Sequence, residues 1–539
     1  MATDKRVIRR RWAEAGVVAA GLSAAMLGGA GSAAAAPADS GHASAASSDH
    51  AGNSSRATAH RSTQPKAAAS AARGAAHPAT AAAASSRARA AGAQARAVLT
   101  TPSAPASANA AKFSFVGPVR AALLASQAYI YGYPLMEYER VRQTVPDLNT
   151  IYSLTSFANP DVDPIWTAIG GGKRPNTDTF YSLAELDLSN GPVVLSIPDM
   201  GTRYYSFQLT DPYTNVVDYI GSRTTASDPG QYAIEWTGGP SGPVPVGATV
   251  VKVPYSSILM LGRTLAGNAA DQQQAIDLIN QYTLSPAGGP PPVTPQPKPG
   301  LSYLDAISAA MTTNPPPAQD DPKLAKLAKI GVGPNLTVAD AGLGPLARLS
   351  AGLAVKLTAA LLPTLAQLQQ LVSAVQNKGW AIPDSAIGDF GTNYLLRAGV
   401  AEVGLIANTP EEAMYSSAVL DSHLLPLNGW HTYVLHFAPG ETPPTDAFWS
   451  VTVYDRNGNL VQNPENRYSV SSSRPNELVT RPDGSIDIIF SRKDPGDPTA
   501  NWLPIPKGSF GVYLRNYVPQ QAALDGSWTP PGIKRVSWF

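Results

Sequence analysis

The chain has 539 residues, enough for two or three domains and a substantial buried core. Only 15% of residues are charged, Pro 49 and Gly 46 make about a sixth of the chain, and there is no cysteine. This excludes disulfides, thiolate metal sites and a cysteine nucleophile, and it favours many turns over long helices.

The net charge of +1 conceals an asymmetry: residues 1–112 carry 13 Lys/Arg against 4 Asp/Glu, a surplus of +9 that leaves −8 for 113–539. Lys5, Arg6, Arg9, Arg10 and Arg11 precede a short apolar stretch at 15–30, and Ala36-Pro37-Ala38 fits a small-x-small cleavage site. Residues 1–38 therefore read as a signal peptide cleaved after Ala38, and the expected location is secreted or cell envelope. The apolar stretch is too short and too weakly apolar for a membrane anchor, and no stable transmembrane helix is expected later in the chain. Residues 39–112 are Ala, Ser, Thr, Pro and scattered Arg without an aromatic. Such a segment cannot offset its ordering entropy and reads as a disordered linker, with cell-wall association as its sharper role. Without aromatics between its cations it gives no reason to expect nucleic acid.

Residues 118–142 have helical spacing (Leu124, Ala128, Ile130, Leu135, Tyr138, Val141), with Pro134 expected to kink or break the helix and a sheet expected beneath it. Alternation predicts strands over 179–188, 193–197, 203–210, 215–220, 232–236, 249–253 and 254–264. Ser189-Asn190-Gly191-Pro192, Asp199-Met200-Gly201-Thr202 and Asp211-Pro212 are the turn signals between them. A helix is predicted over 271–282 and a polyproline connector over 286–299. Helices return over 346–376, with a break expected at Pro363, and over 394–406. Strands follow at 433–437, 448–455, 486–491 and 509–517, with Arg456-Asn457-Gly458-Asn459 as a hairpin turn. The expected architecture is mainly β with helical insertions (α+β): two antiparallel β-sandwich or barrel-like domains plus a helical segment. The boundaries read as 113–285, 286–320, 321–410 and 411–539, the second being a Pro-rich connector and the third the helical segment.

Beyond the N-terminal arm, only His423, His431 and His436 are available, and they form no tight ligand cluster. No transition metal and no cofactor is expected; carbonyl-rich turns leave calcium open. No GxSxG elbow, Walker loop or GxGxxG occurs. Asp178 and Asp211 are the candidate catalytic groups, as a glycosidase-type pair, with Glu185, Asp187 and Asp218 nearby in sequence. Each also reads more simply as a turn cap. Asn176, Tyr181, Arg203, Tyr205 and Asn215 combine rings with planar donors, a set suited to a sugar or small polar ligand, although tyrosines are equally ordinary core residues.

The strings P-N-T-D-T-F-Y-S, G-P-V-V-L-S-I-P-D-M, R-Y-Y-S-F-Q-L-T-D-P-Y-T-N and Y-I-G-S-R-T-T resemble the domain of unknown function 1254. F-W-S-V-T-V-Y-D, N-P-E-N-R-Y-S, N-W-L-P-I-P-K-G and G-S-W-T-P-P resemble its usual C-terminal partner, the domain of unknown function 1214. The resemblance spans most of 118–539. It implies a β-rich two-domain core with helical insertions and brings no settled activity. Its motif positions add Tyr204, Trp449, Tyr454, Asn463, Asn466, Arg467, Tyr468, Asn501, Trp502, Pro504 and Lys507, of which Trp449, Arg467 and Trp502 are the ligand candidates. The expected function is an exported protein that binds a carbohydrate or small polar ligand in a cleft between two β-rich domains, with hydrolysis open. The alternative is a non-catalytic envelope structural or interaction protein.

Overall fold

The computed structural model describes residues 116–157 and 174–536; the expected signal peptide and all of the expected linker lie outside these residues. The described chain is mostly β, with four sheets and helical insertions.

The first β unit contains strands β1 (Tyr152–Leu154), β2 (Thr179–Asp187), β3 (Val193–Ile197), β4 (Tyr205–Thr210), β5 (Val216–Gly221), β6 (Gly230–Trp236), β7 (Thr249–Val253), β8 (Ser257–Leu265) and β9 (Thr283–Ser285). They form two sheets, ordered β1-β2-β8-β4-β5 and β7-β6-β3-β9. The second unit contains β10 (Trp380–Ala381), β11 (Ala413–Ala418), β12 (Thr432–Phe437), β13 (Thr445–Asp455), β14 (Ser469–Ser471), β15 (Ile486–Ser491), β16 (Asn501–Pro504), β17 (Phe510–Pro519) and β18 (Lys534–Val536). Its sheets are ordered β10-β11-β17-β13-β14 and β16-β15-β12-β18. Adding nine to every strand number of the first unit yields the second. The match extends to direction, since β6–β7 and β15–β16 are the two parallel pairs and all others are antiparallel. The chain thus contains one β architecture twice.

The repeat reaches single residues. Tyr205-Ser206 of β4, preceded by Tyr204, stand in the same register as Trp449-Ser450 of β13, preceded by Phe448. Each strand runs on to an Asp whose Oδ1 accepts from two backbone amides, those of Tyr213 and Asn215 for Asp211, and of Asn457 and Asn459 for Asp455. These are turns in which a side chain replaces a backbone acceptor. Tyr205 and Ser222 exchange bonds across the β4–β5 end as Trp449 and Ser472 do across β13–β14. In the second unit a core of Tyr433, Leu435, Trp449, Val451, Ile488, Phe490, Val512 and Leu514 lies between the two sheets, so this unit is a sandwich; no barrel closes among the described residues.

The helices are α1 (Pro118–Arg142), α2 (Ala269–Ile279), α3 (Leu301–Thr313), α4 (Asp321–Leu327), α5 (Pro345–Gln376), α6 (Tyr394–Gly404) and α7 (Gln521–Leu524). α1 packs mainly on α5, α3 and α6 rather than on a sheet. Pro134 and Pro363 lie inside helices that continue through them. The loss of one amide and the ring clash, about 3 kcal/mol, is outweighed by helix packing. By length and composition alone α5 is long and apolar enough to cross a membrane. It lies against α1, α3 and α6 and leaves Leu346, Leu349, Leu353 and Leu357 exposed.

Candidate functional site

A cavity of about 670 Å³ lies where the two β units meet the helices. The first unit lines it with Arg174, Pro175 and Asn176 from the loop before β2, Tyr181 from β2, and Leu261 and Arg263 from β8. The second supplies Ala413, Tyr415 and Ser417 from β11, and Tyr513 and Arg515 from β17. Opposite these stand Ala366, Leu368 and Val372 of α5 and Leu396, Gly399, Val400 and Val403 of α6, continued by Ile406 and Ala407. The strand-borne lining carries the arginines and tyrosines, and the helix-borne lining is mainly aliphatic with Gln369, Gln370 and Ser373 of α5 among it. Leu368 and Val372 are exposed as well as lining, so the aliphatic wall reaches the surface. Asp384 is the one carboxylate among the described lining residues.

Strand register builds the cationic wall. Arg263 pairs with Tyr181 of β2 on one side and Ser206 of β4 on the other. Arg515 pairs with Tyr415 of β11 and Ser450 of β13. The same Tyr–Arg–Ser row therefore crosses both units. Each arginine is the one charged residue of an otherwise apolar or neutral strand, and each is 4% exposed. Arg263 donates Nη1 to Gln208 Oε1 at 2.9 Å and Nη2 to the Ile406 carbonyl at 2.8 Å, while its buried Nε has no partner. Arg515 donates to Thr452 Oγ1 at 3.0 Å, to the Tyr454 hydroxyl at 2.7 Å and to the Arg174 carbonyl at 3.1 Å. Burial raises the Tyr415 phenol, and both Arg263 and Arg515 pull it back, so the two guanidiniums act on one group.

Buried carboxylates join the units reciprocally. Asp178, ahead of β2, accepts the Ser450 hydroxyl at 2.5 Å and has Arg474 at 3.7 Å. Glu412, ahead of β11, accepts the Tyr204 hydroxyl at 2.7 Å and pairs with Arg223 at 2.7 Å. Each carboxylate thus reaches the β4-type strand of the other unit and an arginine that follows the next strand.

Of the residues singled out in the sequence, Asn176 and Tyr181 face the cavity. Asn176 donates to Tyr517 and Thr179 and accepts from the Asp178 amide. Asp178 is 1% exposed and sits behind the lining in the contact between units. Arg203 is elsewhere, paired with Asp271 at 2.6 Å, so Asp178 and Arg203 share no pocket. Tyr205 is buried, with its hydroxyl on the Ala226 carbonyl. Asp211 and Asn215 form the turn after β4; burial pushes the Asp211 carboxyl up to about 6 against the donors that hold it down. Trp449 lies in the second core, and Arg467 and Trp502 form a separate pair through the Trp502 carbonyl at 3.3 Å. Asp178 and Asp211 are not brought together at the cavity. Among the described residues no group of three or more His, Asp or Glu is placed to hold a metal.

Arg515 was not singled out from the sequence, and Arg263 only as a strand end. The available signal was a single arginine inside a strand of apolar residues, S-I-L-M-L-G-R-T-L and F-G-V-Y-L-R-N-Y-V. A buried cation needs a reason.

Residues 143–286 match the model of the protein of unknown function DUF1254, and residues 412–521 match that of DUF1214. No curated protein matches the chain. The crystal structure of the VPA0106 protein from Vibrio parahaemolyticus is similar at 26% identity and a TM-score of 0.57, covering 77% of this chain and 100% of that one. An uncharacterised protein from Burkholderia cenocepacia is 14% identical over 76% of this chain and 88% of its own, with a TM-score of 0.39.

Proposed function

The chain belongs to the family that pairs DUF1254 with DUF1214, and for this member we propose binding of a small amphipathic molecule in the cavity between the two β units. The observation that carries the reading is the gathering of arginine, tyrosine and asparagine on the strand side of the cavity, against a helical side that is mainly Leu, Val, Ile and Ala with Gln369, Gln370 and Ser373 of α5. A few convergent polar groups in a mainly apolar hollow fix one end of a ligand and bury the rest. A free sugar, with hydroxyls on every edge, would leave some of them unpaired against the aliphatic residues of α6, where no polar side chain lines the cavity. A glycosidase-type mechanism uses two carboxylates facing one bond. With one carboxylate in the described lining, the reading is binding rather than glycoside hydrolysis. Export directed by residues 1–38 is part of the proposal; a mature protein whose N-terminus is still Met1 refutes that part.

The cavity is tested with the neutral dye Nile red and with Val400→Trp, which fills the aliphatic wall. Wild type should enhance the dye fluorescence saturably, and the folded variant should lose most of that enhancement. Equal uptake by both proteins, or none by wild type, overturns the reading.

A further inference from the structure

Resting on that reading, we infer that the ligand is a carboxylate monoanion, its charged end seated on Arg263 with Arg515 beside it and its apolar body along α5 and α6. The argument is one of charge balance within a repeated structure. Seven other basic side chains of the described body have acidic partners within 4 Å: Arg140, Arg142, Arg203, Arg223, His436, Arg474 and Arg481; the buried Arg397 has none, but it lies outside the cavity lining, over the rings of Tyr131, Tyr213 and Tyr394. Arg263 is more deeply buried than a surface arginine by any measure, at 4% exposed, yet its two bonded partners, Gln208 and the Ile406 carbonyl, are neutral. Its Nε is buried and bonded to nothing. A desolvated guanidinium without an anion is strongly unfavourable, and an anion supplied by a ligand removes the penalty.

The repeat shows why one charge is wanted rather than two. Arg515 is the equivalent of Arg263, and although it too has no acid within 4 Å, the Asp178 carboxylate that Arg474 approaches also acts on it electrostatically, held by Ser450, the residue directly opposite in register. The equivalent acid of the second unit is Glu412, which is held more closely, with Arg223 at 2.7 Å where Asp178 has Arg474 at 3.7 Å and an Oδ1 without a hydrogen-bond partner. Neither guanidinium in the wall has an acid within 4 Å, but Arg515 has the Asp178 carboxylate acting on it and Arg263 has no such group. A carboxylate supplies one negative charge and two oxygens that match the guanidinium fork. A phosphate monoester, largely dianionic near neutrality, would bring a second charge into a wall with one uncompensated cation. The Tyr181 ring, 5.8 Å from the Arg263 guanidinium carbon, closes one side of the seat.

Isothermal titration of the full chain tests this with isosteric probes at pH 7.5: octanoate, 1-octanol and octyl phosphate, and 2-naphthoate against 2-naphthol. At least one acid should bind tenfold or more tightly than its alcohol, and octanoate should bind more tightly than octyl phosphate. Arg263→Gln should bring the acid down to the affinity of the alcohol and leave the alcohol unchanged. Arg263→Lys, which keeps the charge and loses the fork, should retain part of the preference and serves if the Gln variant does not fold. Equal binding of acid and alcohol, or a preference that survives Arg263→Gln, overturns the carboxylate assignment while Nile red uptake leaves the cavity reading standing. Tighter binding of octyl phosphate overturns the single-charge argument. Failure of every probe, together with failure of Nile red, removes both readings.

Discussion

Removing Asp178 should loosen the contact between the β units without emptying the cavity. Its carboxylate is 1% exposed, accepts the Ser450 hydroxyl at 2.5 Å and stands 3.7 Å from Arg474. A hydrogen bond to a charged group contributes about 1.5–3 kcal/mol. Breaking a buried charge pair by deleting one partner costs about 3–5 kcal/mol. The Arg474 side chain is 17% exposed, so some of its charge is recovered by water, which puts Asp178→Ala at about 3 kcal/mol, near the lower edge of that range. Ser450→Ala should cost about 1.5 kcal/mol, and the double variant should show a coupling of similar size, because both substitutions remove the same bond. Equilibrium urea unfolding supplies the values, provided circular dichroism and tryptophan fluorescence report coincident transitions. Octanoate titration supplies a second readout: Asp178→Asn strips Arg515 of its counter-charge, so the acid should bind more tightly. Coupling below about 0.5 kcal/mol would refute the assignment of Asp178 to the interface, since distant sites add within that margin.

Glu185 is fully buried against Tyr138, Ser257 and Arg142, and burial pushes its carboxyl from 4.5 up to about 7. The native state then holds a proton that the unfolded chain releases, so stability falls as pH rises from about 4.5 to 7 and levels off above. Glu185→Gln lacks this slope, and its stability relative to wild type should rise by about 3 kcal/mol between pH 4.5 and 8 in urea titrations; parallel pH profiles would contradict this. A Cβ on Gly132 of α1 would stand 2.4 Å from Ile307 of α3. Gly132→Ala should therefore lose about 1–3 kcal/mol despite its better helix propensity, and Ile307→Ala should cost less in that background than alone. Asp211→Ala should lower the melting temperature more than Asp455→Ala, because the two turns match in bonding but Asp211 is 4% exposed and Asp455 only partly buried.

The strands were legible because one rule governs them: alternation bounded by Gly, Pro, Asn and Asp. It placed the predicted 179–188 and 193–197 on the observed Thr179–Asp187 and Val193–Ile197. The rule also has a limit, since Tyr205–Thr210 is buried on both faces, and alternation there reflects neighbouring side-chain chemistry rather than exposure. The prolines misled for a different reason. Pro134 and Pro363 carry a local penalty, and the packing that outweighs it joins segments hundreds of residues apart, such as α1 and α5. The run from 174 to 223 is dense in aromatic, amide, carboxylate and arginine groups, yet density marks what an interior needs as readily as what a ligand needs: Tyr204 and Tyr205 are both buried.

The site was only half legible because it is a product of the repeat, and the repeat is visible as pattern rather than as identity. Y-Y-S-F-Q-L-T-D-P-Y-T-N and F-W-S-V-T-V-Y-D-R-N-G-N share two leading aromatics, a Ser, an Asp and an Asn in fixed register, which few alignments of single residues would reveal. Once the halves are superposed by strand order, the functional argument follows from where they differ. Structural requirements common to both halves are met twice: the Asp turn, the Ser bridge, the carboxylate reaching across. A difference between equivalent positions has no such explanation from the architecture. Asp178, which stands by Arg474, also acts on Arg515, and Arg263 has no such acid, although both arginines are equally buried and occupy the same register position. The same chain that built the compensated version left the other open, on the wall of a cavity large enough for a ligand. The broken symmetry, more than the concentration of polar residues, is what makes Arg263 the residue on which the proposed carboxylate binding turns.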